Sequence, residues 1–286
     1  MGHKTFWVLA DHLSRNRIAV LRYDDRGVGQ SEGRFEGATS YDFANDASAA
    51  IDFLSSVNSL SKSKMGIIGH SEGGLIAPVV ATQNKQVDFI LMLAGPSKSG
   101  RFVSENQMKT ILLSNGLSEQ TAVAGSMITR ALNETVLNNE SLPKAQLSEK
   151  LSETYINQWQ KLPKKSQQEL KSLGGGSLPA HRINMLTSQW YKVFLRHEPV
   201  EYLSTLDIPV YALFAEKDVQ VNANDHYPAM QNMLNRNQHS KAHILPEHNH
   251  LFQRSKTGAM SEYQKIEETL SEQVLSEIKQ WIISIT

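Results

Sequence analysis

Cysteine is absent from the 286 residues of this chain. Its absence excludes disulfide bonds, thiolate nucleophiles and cysteine-ligated zinc sites, and it leaves the redox compartment undetermined. An excess of charge is also missing, because 29 lysines and arginines balance 29 aspartates and glutamates. Without a basic surplus, neither nucleic acid nor a membrane surface is an expected partner.

Long apolar runs are missing as well. No stretch reaches the roughly 18 consecutive apolar residues that a membrane-spanning helix requires, and the first residues contain no apolar signal core. The chain as written therefore carries no export signal, and we expect it to be cytoplasmic as written. A signal peptide of a longer parent protein would lie outside this sequence, so the native compartment and the oligomeric state stay open.

Strand-like and helix-like segments alternate along most of the chain. Apolar runs typical of buried strands lie at 18–23, 64–68, 87–94, 210–214 and 242–245. Helical spacing of apolar residues marks 6–13, 41–54 and 274–285, with Thr39 or Ser40 and Ser271 as candidate caps. This order predicts an α/β fold with a mostly parallel sheet and helices on both faces.

One long segment interrupts the alternation. Residues 97–201 are rich in polar residues and show helical periodicity at 123–137 and 147–159. We interpret them as a helical cap inserted into a core made of residues 1–96 and 202–286.

A serine lies between two glycines where the strand at 64–68 gives way to a helix. The pattern Gly69-x-Ser71-x-Gly73 is that of a nucleophile elbow, a strained turn that exposes the serine hydroxyl. Gly69 and Gly73 are expected to give the strand and helix room to approach. The backbone N–H of Glu72 is expected to face a developing oxyanion, while its carboxylate either lines the site or binds backbone. A glycine-rich turn with an inert serine is the alternative, which the flanking patterns disfavour.

A serine nucleophile needs a histidine to accept its proton and a carboxylate to orient that histidine. Asp218 follows the strand at 210–214, and His248 and His250 follow the strand at 242–245. The order Ser, Asp, His suits either histidine. A His-x-His metal site is an alternative, but no third ligand recurs at suitable spacing, so no metal is expected.

Six segments together resemble bacterial α/β-hydrolase fold serine esterases, related to the prolyl-oligopeptidase-like hydrolases. They cover nearly the whole chain: LRYDDRGVGQS at 21–31, IGHSEGG at 68–74, LMLAGP at 91–96, EKDVQV at 216–221, NHLFQ at 249–253 and EYQKIEETLSEQVLSEIKQWI at 262–282. The resemblance implies that His250, which precedes Leu-Phe-Gln, is the base. It leaves His248 at a variable position, as a surface loop histidine.

The turn at 24–31 resembles the D-R-G-x-G-x-S turn of these proteins. Arg26 is expected to organise neighbouring loops through several hydrogen bonds rather than to take part in catalysis.

Relatives of this kind carry a strand and a glycine-rich loop before the helix at 6–13, and that loop supplies a second oxyanion donor. This sequence has neither, so it resembles an N-terminally truncated member. We expect the missing strand to lie between the strands at 18–23 and 64–68. Loss of one oxyanion donor typically lowers the rate about a hundred- to a thousandfold.

These features predict a serine carboxylesterase, a carboxylic ester hydrolase that acts on small acyl esters. Ser71 is the expected nucleophile, His250 the base, Asp218 its orienting acid and the Glu72 N–H an oxyanion donor. No cofactor is needed. A thioesterase or peptidase with the same triad is one alternative, and a catalytically impaired hydrolase that only binds ligand is another.

Overall fold

A computed structural model describes residues 2–286, which form two compact units. The first unit contains the residues up to Lys98 together with Glu198–Thr286, and the second contains Ser99–His197. The second unit covers nearly the same residues as the segment at 97–201, and the interpretation of that segment as a cap stays a prediction.

The elements are numbered in chain order. The first part of the chain forms α1 (Thr5–Arg15), α2 (Ser40–Ser56), β1 (Gly66–His70), α3 (Glu72–Gln83) and β2 (Phe89–Leu93). The second unit forms α4 (Gly100–Ser114), α5 (Glu119–Asn138), α6 (Lys144–Gln160), α7 (Lys164–Ser172), α8 (Ala180–Leu186) and α9 (Gln189–Arg196). The remaining chain forms α10 (Val200–Leu203), β3 (Val210–Ala215), α11 (Ala223–Met233), β4 (Lys241–Leu245) and α12 (Glu272–Ile285).

The four strands form one parallel sheet in the order β1-β2-β3-β4. Met92 pairs with Gly69 on one side and with Ala212 on the other, which fixes the register of the three strands. All four carboxyl ends lie at the same edge of the sheet because the strands are parallel. The loops that follow β1, β3 and β4 therefore emerge on one side of the molecule.

Alternate residues of the two central strands face opposite helical layers, as the two-residue period of a strand requires. One core packs β2 and β3 against α2, α3 and α11 and includes Ile90, Met92, Ala212 and Phe214. The other packs the same strands against α1 and α12 and includes Leu91, Leu93, Tyr211 and Leu213. This confirms the predicted α/β class with helices on both faces.

Local sequence explains where two of the helices begin. The Thr39 hydroxyl and N–H both donate to the Asp42 carboxylate at the start of α2, at 2.7 and 2.8 Å. Ser271 Oγ accepts the Val274 N–H at the start of α12, as its capping position predicted. Within residues 2–286, no helix combines the length and apolar character that crossing a bilayer demands.

The second unit is an all-helical cluster with its own apolar cores. Leu132, Leu147, Leu151 and Leu195 are among the buried residues of the larger one. A buried polar network accompanies it, because the Tyr191 hydroxyl donates to Asn133 Oδ1 and contacts Ser104 Oγ, both at 2.7 Å. Satisfied in this way, Asn133 can lie fully inside the cluster.

The prediction of a strand at 18–23 is wrong. These residues form no strand, and Val20, Leu21 and Tyr23 are 38, 38 and 50% exposed. A strand forms only where a hydrogen-bonded neighbour exists, and within the described residues β1 pairs with β2 alone. Apolar, β-branched composition therefore predicted a strand that has no partner in this structure.

Candidate active site

Ser71 occupies the junction between β1 and α3 in a strained backbone conformation. Its φ of 54° and ψ of −115° lie outside the regions that non-glycine residues ordinarily adopt, at a cost of roughly 1–3 kcal/mol. The Ser71 N–H donates to the Leu93 carbonyl at 2.8 Å, which ties the turn to the end of β2. The elbow predicted from the sequence is therefore present as a backbone geometry.

Glycine is required at the elbow where two backbones meet. A Cβ on Gly69 would overlap the Gly73 carbonyl, and one on Gly74 would lie 2.6 Å from the Gly95 Cα. A Cβ on Gly73 would meet nothing within 4 Å. The expectation that Gly73 makes room through its missing side chain is therefore wrong. Gly73 contributes its backbone to the contact, and Gly74 makes the second close approach.

Asp218 lies in the turn that follows β3, and it is buried. Its Oδ1 accepts the backbone N–H groups of Gln220 and Val221 at 2.7 and 2.9 Å. The turn is tied to the loop after β4, since the Lys217 N–H donates to the His248 carbonyl at 2.8 Å. Two amide donors hold the carboxylate in one orientation and leave Oδ2 for another partner.

That partner is His250. Its Nδ1 lies 2.7 Å from Asp218 Oδ2, and the two side chains are 4% and 0% exposed. A carboxylate can only accept, so Nδ1 carries the hydrogen and donates it. In the neutral ring this leaves the lone pair on Nε2, which is the form that a general base requires.

The loop that carries His250 is a closed turn. The Asn249 side chain accepts the N–H groups of Leu251 and Gln253 and donates to Gln253 Oε1. Gln253 Nε2 in turn donates to the carbonyls of Tyr263 and Glu268. The NHLFQ segment thus folds on itself and fixes the backbone on either side of His250.

His248 was expected on the surface, and that expectation is wrong. The residue is 1% exposed. Its Nδ1 donates to the Pro246 carbonyl at 2.6 Å, and its Nε2 lies 2.7 Å from Ser271 Oγ, the cap of α12. His248 therefore anchors the C-terminal helix, and its burial lowers its pKa.

His70 belongs to the same cluster, although sequence patterns assigned it no role. Its Nε2 lies 2.8 Å from the His250 carbonyl, and the two ring centroids are 4.7 Å apart. Burial, together with the charge of His250, lowers the pKa of His70 to about 4. The one available signal was a titratable residue directly before the serine.

His70 connects the predicted histidine to the segment of chain that carries the predicted serine. His70 precedes Ser71 in sequence, and its ring contacts the ring of His250. Within the described residues, Ser71 Oγ makes no hydrogen bond. Catalytic hydrogen bonds are often long in proteins without substrate and tighten when substrate binds.

Glu72 and Arg26 each make polar contacts with residues of α2. The Ser40 hydroxyl donates to Glu72 Oε1 at 2.7 Å, so this oxygen binds a side chain at the start of α2. Arg26 Nε and Nη2 donate to the two oxygens of Asp46, both at 2.7 Å, and Nη2 also donates to the Asp42 carbonyl. Arg26 thus joins the turn at 24–31 to α2, and its role in organising the site stays a prediction.

His226 on α11 is a second histidine that sequence patterns did not single out. The Ser97 N–H donates to its Nδ1 at 3.1 Å, and the Ser97 hydroxyl donates to its carbonyl at 2.7 Å. Burial, with a smaller effect of Lys98, lowers the pKa of His226 to about 4. These contacts fix the loop after β2 against α11.

Comparison with known proteins agrees with this architecture. The sequence profile of the family described as Serine aminopeptidase, S33 matches residues 4–170. A search of functionally curated proteins found no significant sequence match.

Solved structures share the fold over nearly the whole chain. One is a monoacylglycerol lipase from Paleococcus ferrophilus, with 14% identity, a TM-score of 0.54, and coverage of 99% of this chain and 91% of that chain. Another is a lipase-esterase related protein from Clostridium acetobutylicum, with 17% identity, a TM-score of 0.51, and coverage of 98% and 89%. MenH from S. aureus has 14% identity, a TM-score of 0.51, and coverage of 99% and 90%. At these identities the likeness shows the fold, and it confirms the predicted α/β-hydrolase architecture.

Two alanine variants test the backbone contact at the elbow. Gly69→Ala forces a Cβ into the Gly73 carbonyl, so we expect it to lower the free energy of unfolding by at least about 2 kcal/mol. Gly73→Ala has open space and a helical position, so we expect a change within about 1 kcal/mol, in the stabilising direction. Urea denaturation followed by circular dichroism measures both. Equal effects of the two substitutions on the free energy of unfolding would contradict the conclusion that Gly69, but not Gly73, lacks space for a Cβ.

The buried histidines predict a pH dependence of stability. Between pH 6.5 and about 4, the unfolded chain protonates His70 and His226 while the folded protein keeps them neutral. The unfolded state then binds more protons, so the free energy of unfolding falls as the pH falls. The slope is at most about 1.4 kcal/mol per pH unit for each histidine.

Urea denaturation at pH 7, 6 and 5 measures this slope. His226→Asn keeps an acceptor for the Ser97 N–H and removes the titration, so it should reduce the slope by up to about 1.4 kcal/mol per pH unit. A slope identical to that of the unsubstituted protein would rule out a neutral, buried His226.

Proposed function

The chain belongs to the Serine aminopeptidase, S33 family of hydrolases, and on that premise we propose that it is a serine carboxylesterase acting on small acyl esters. The observation that carries the proposal is the buried Asp218–His250 hydrogen bond of 2.7 Å, together with a strained serine elbow directly after His70, whose ring contacts that of His250. These are the three residue types that acyl transfer requires, on loops that emerge from one edge of the sheet.

In this proposal Ser71 Oγ attacks the ester carbonyl while His250 Nε2 accepts its proton. Asp218 holds the ring in the correct tautomer and stabilises the imidazolium that forms. His250 then gives the proton to the leaving alcohol, which departs as the acyl-enzyme forms. Water repeats the sequence, with His250 again as base, and releases the acid and free Ser71. No cofactor takes part.

The negative charge that develops on the carbonyl oxygen needs donors. Helix α3 begins at Glu72, directly after the nucleophile. The first amides of a helix point along its axis toward its N-terminal end, where they stabilise negative charge. The Glu72 N–H is therefore the proposed oxyanion donor, and the second donor is left unassigned.

A peptidase is the second candidate, because the family that matches is described by an aminopeptidase activity. The same triad cleaves amides, which differ from esters mainly in a poorer leaving group. The monoacylglycerol lipase among the similar structures is an ester hydrolase by its name, and it supports the first candidate. The expected relation to prolyl-oligopeptidase-like hydrolases stays a prediction.

Steady-state hydrolysis tests the proposal. We expect the protein to hydrolyse p-nitrophenyl acetate or butyrate with kcat/KM above that for amino acid p-nitroanilides. Ser71→Ala should remove turnover, and Asp218→Asn should lower kcat about 10³- to 10⁴-fold because it disturbs the tautomer of the base. Ser56→Ala, at the exposed C-terminal end of α2, serves as the matched control and should leave kcat unchanged.

Each result that departs from this expectation points to a different alternative. A preference for the anilides would favour the peptidase. Turnover that survives Ser71→Ala would place the nucleophile elsewhere. A folded protein without turnover on either substrate class would support a catalytically impaired hydrolase that only binds ligand.

A further inference from the structure

His70 makes contacts that the proposed reaction does not itself require. Its Nε2 lies 2.8 Å from the backbone carbonyl of His250, not from a side chain. Its ring is tilted by 52° against the His250 ring and meets Phe252 edge-on at 6.4 Å. The imidazole of His70 therefore touches both the backbone and the ring of the proposed base.

The direction of this hydrogen bond follows from its acceptor. A carbonyl has no hydrogen to donate, so His70 Nε2 must carry the proton and donate it. Burial and the neighbouring His250 hold the pKa of His70 at about 4, so the ring is neutral at physiological pH. A neutral His70 adds no second positive charge beside His250 when the latter becomes an imidazolium.

The rest of the base loop explains why this carbonyl matters. Asn249 and Gln253 close the turn on both sides of His250, and Asp218 holds the ring through Nδ1. His70 holds the peptide group of His250 itself. Since His70 is the last residue of β1 and Ser71 follows it, this contact links the base loop directly to the strand that carries the nucleophile.

We propose that His70 is a positioning residue, which fixes the distance between the His250 imidazole and the Ser71 hydroxyl by donating a hydrogen bond to the His250 carbonyl. This inference rests on the proposed function, because it assigns His250 as the base and Ser71 as the nucleophile. In this scheme His70 itself transfers no proton and forms no bond to the substrate.

Three substitutions separate the hydrogen bond from the bulk of the ring. His70→Gln carries an amide N–H to about the position of Nε2, whereas the shorter His70→Asn does not reach the carbonyl. His70→Phe keeps an aromatic ring of similar size without a donor. The Gln and Asn variants form a matched polar pair, so the test stands even where the Phe variant does not fold.

The kinetic expectation is a change in kcat rather than in KM, because the contact sets the geometry of proton transfer and not substrate binding. We expect His70→Asn and His70→Phe to lower kcat about tenfold with KM within about twofold, and His70→Gln to recover kcat to within about threefold. A kcat unchanged in all variants, an effect confined to KM, or equal losses in Gln and Asn would overturn the proposal.

A second measurement does not depend on hydrolysis. The exchange rate of the His250 Nδ1–H with solvent, followed by ¹⁵N-edited NMR, reports how firmly the ring is held against Asp218. The rate should rise about tenfold in His70→Asn and stay within about threefold of the original in His70→Gln.

Equal exchange rates in the Asn, Gln and original proteins would overturn the positioning role even if the enzyme is active. If the protein hydrolyses no ester, the proposed function fails, and the exchange rates still decide whether His70 positions His250.

Discussion

The close contact between the backbones of β1 and α3 is the constraint on which the rest of the site depends. Gly69 faces the Gly73 carbonyl, and Gly74 faces Gly95, with no space for a Cβ at either position. The strand and helix can approach this closely only if the residue between them leaves the ordinary backbone regions, and Ser71 does so with a φ of 54°. The strain is maintained because β1 and α3 are both held in the core around β2.

A strained serine by itself is a poor nucleophile. The parallel sheet positions the two residues that are proposed to activate it. The loops after β3 and β4 emerge at the same edge, where Asp218 and His250 meet in a buried hydrogen bond. Hydrogen bonds between the two loops and within the NHLFQ turn then fix this pair. In our proposal, His70 completes the assembly by linking the pair to the strand that ends at the serine.

Much of the fold and of the candidate site could be predicted from the sequence, because the signals are local. Three kinds of signal act within a few residues: the elbow pattern, the apolar runs of β2 and β3, and the caps Thr39 and Ser271. The acid and base candidates follow strand ends, and a parallel sheet brings such positions together.

The features that sequence patterns did not reveal depend on distant partners. Residues 18–23 have a strand's composition, but a strand also needs a neighbour, and composition says nothing about neighbours. His248 lies in a polar loop, and only its contact with Ser271 explains its burial. His70 and His226 acquire their roles from residues more than a hundred positions away. The space available for a side chain at Gly74 is limited by Gly95, which lies in the loop after β2.

The most direct test of this account is to identify the residue that a fluorophosphonate modifies. Such a probe forms a stable adduct only with an activated serine, and tandem mass spectrometry of the digested protein locates it. We predict one adduct, on Ser71, that disappears in the His250→Ala variant while the fold is retained. An adduct on another serine, or none in the folded protein, would contradict the claim that Ser71 is a nucleophile activated by His250.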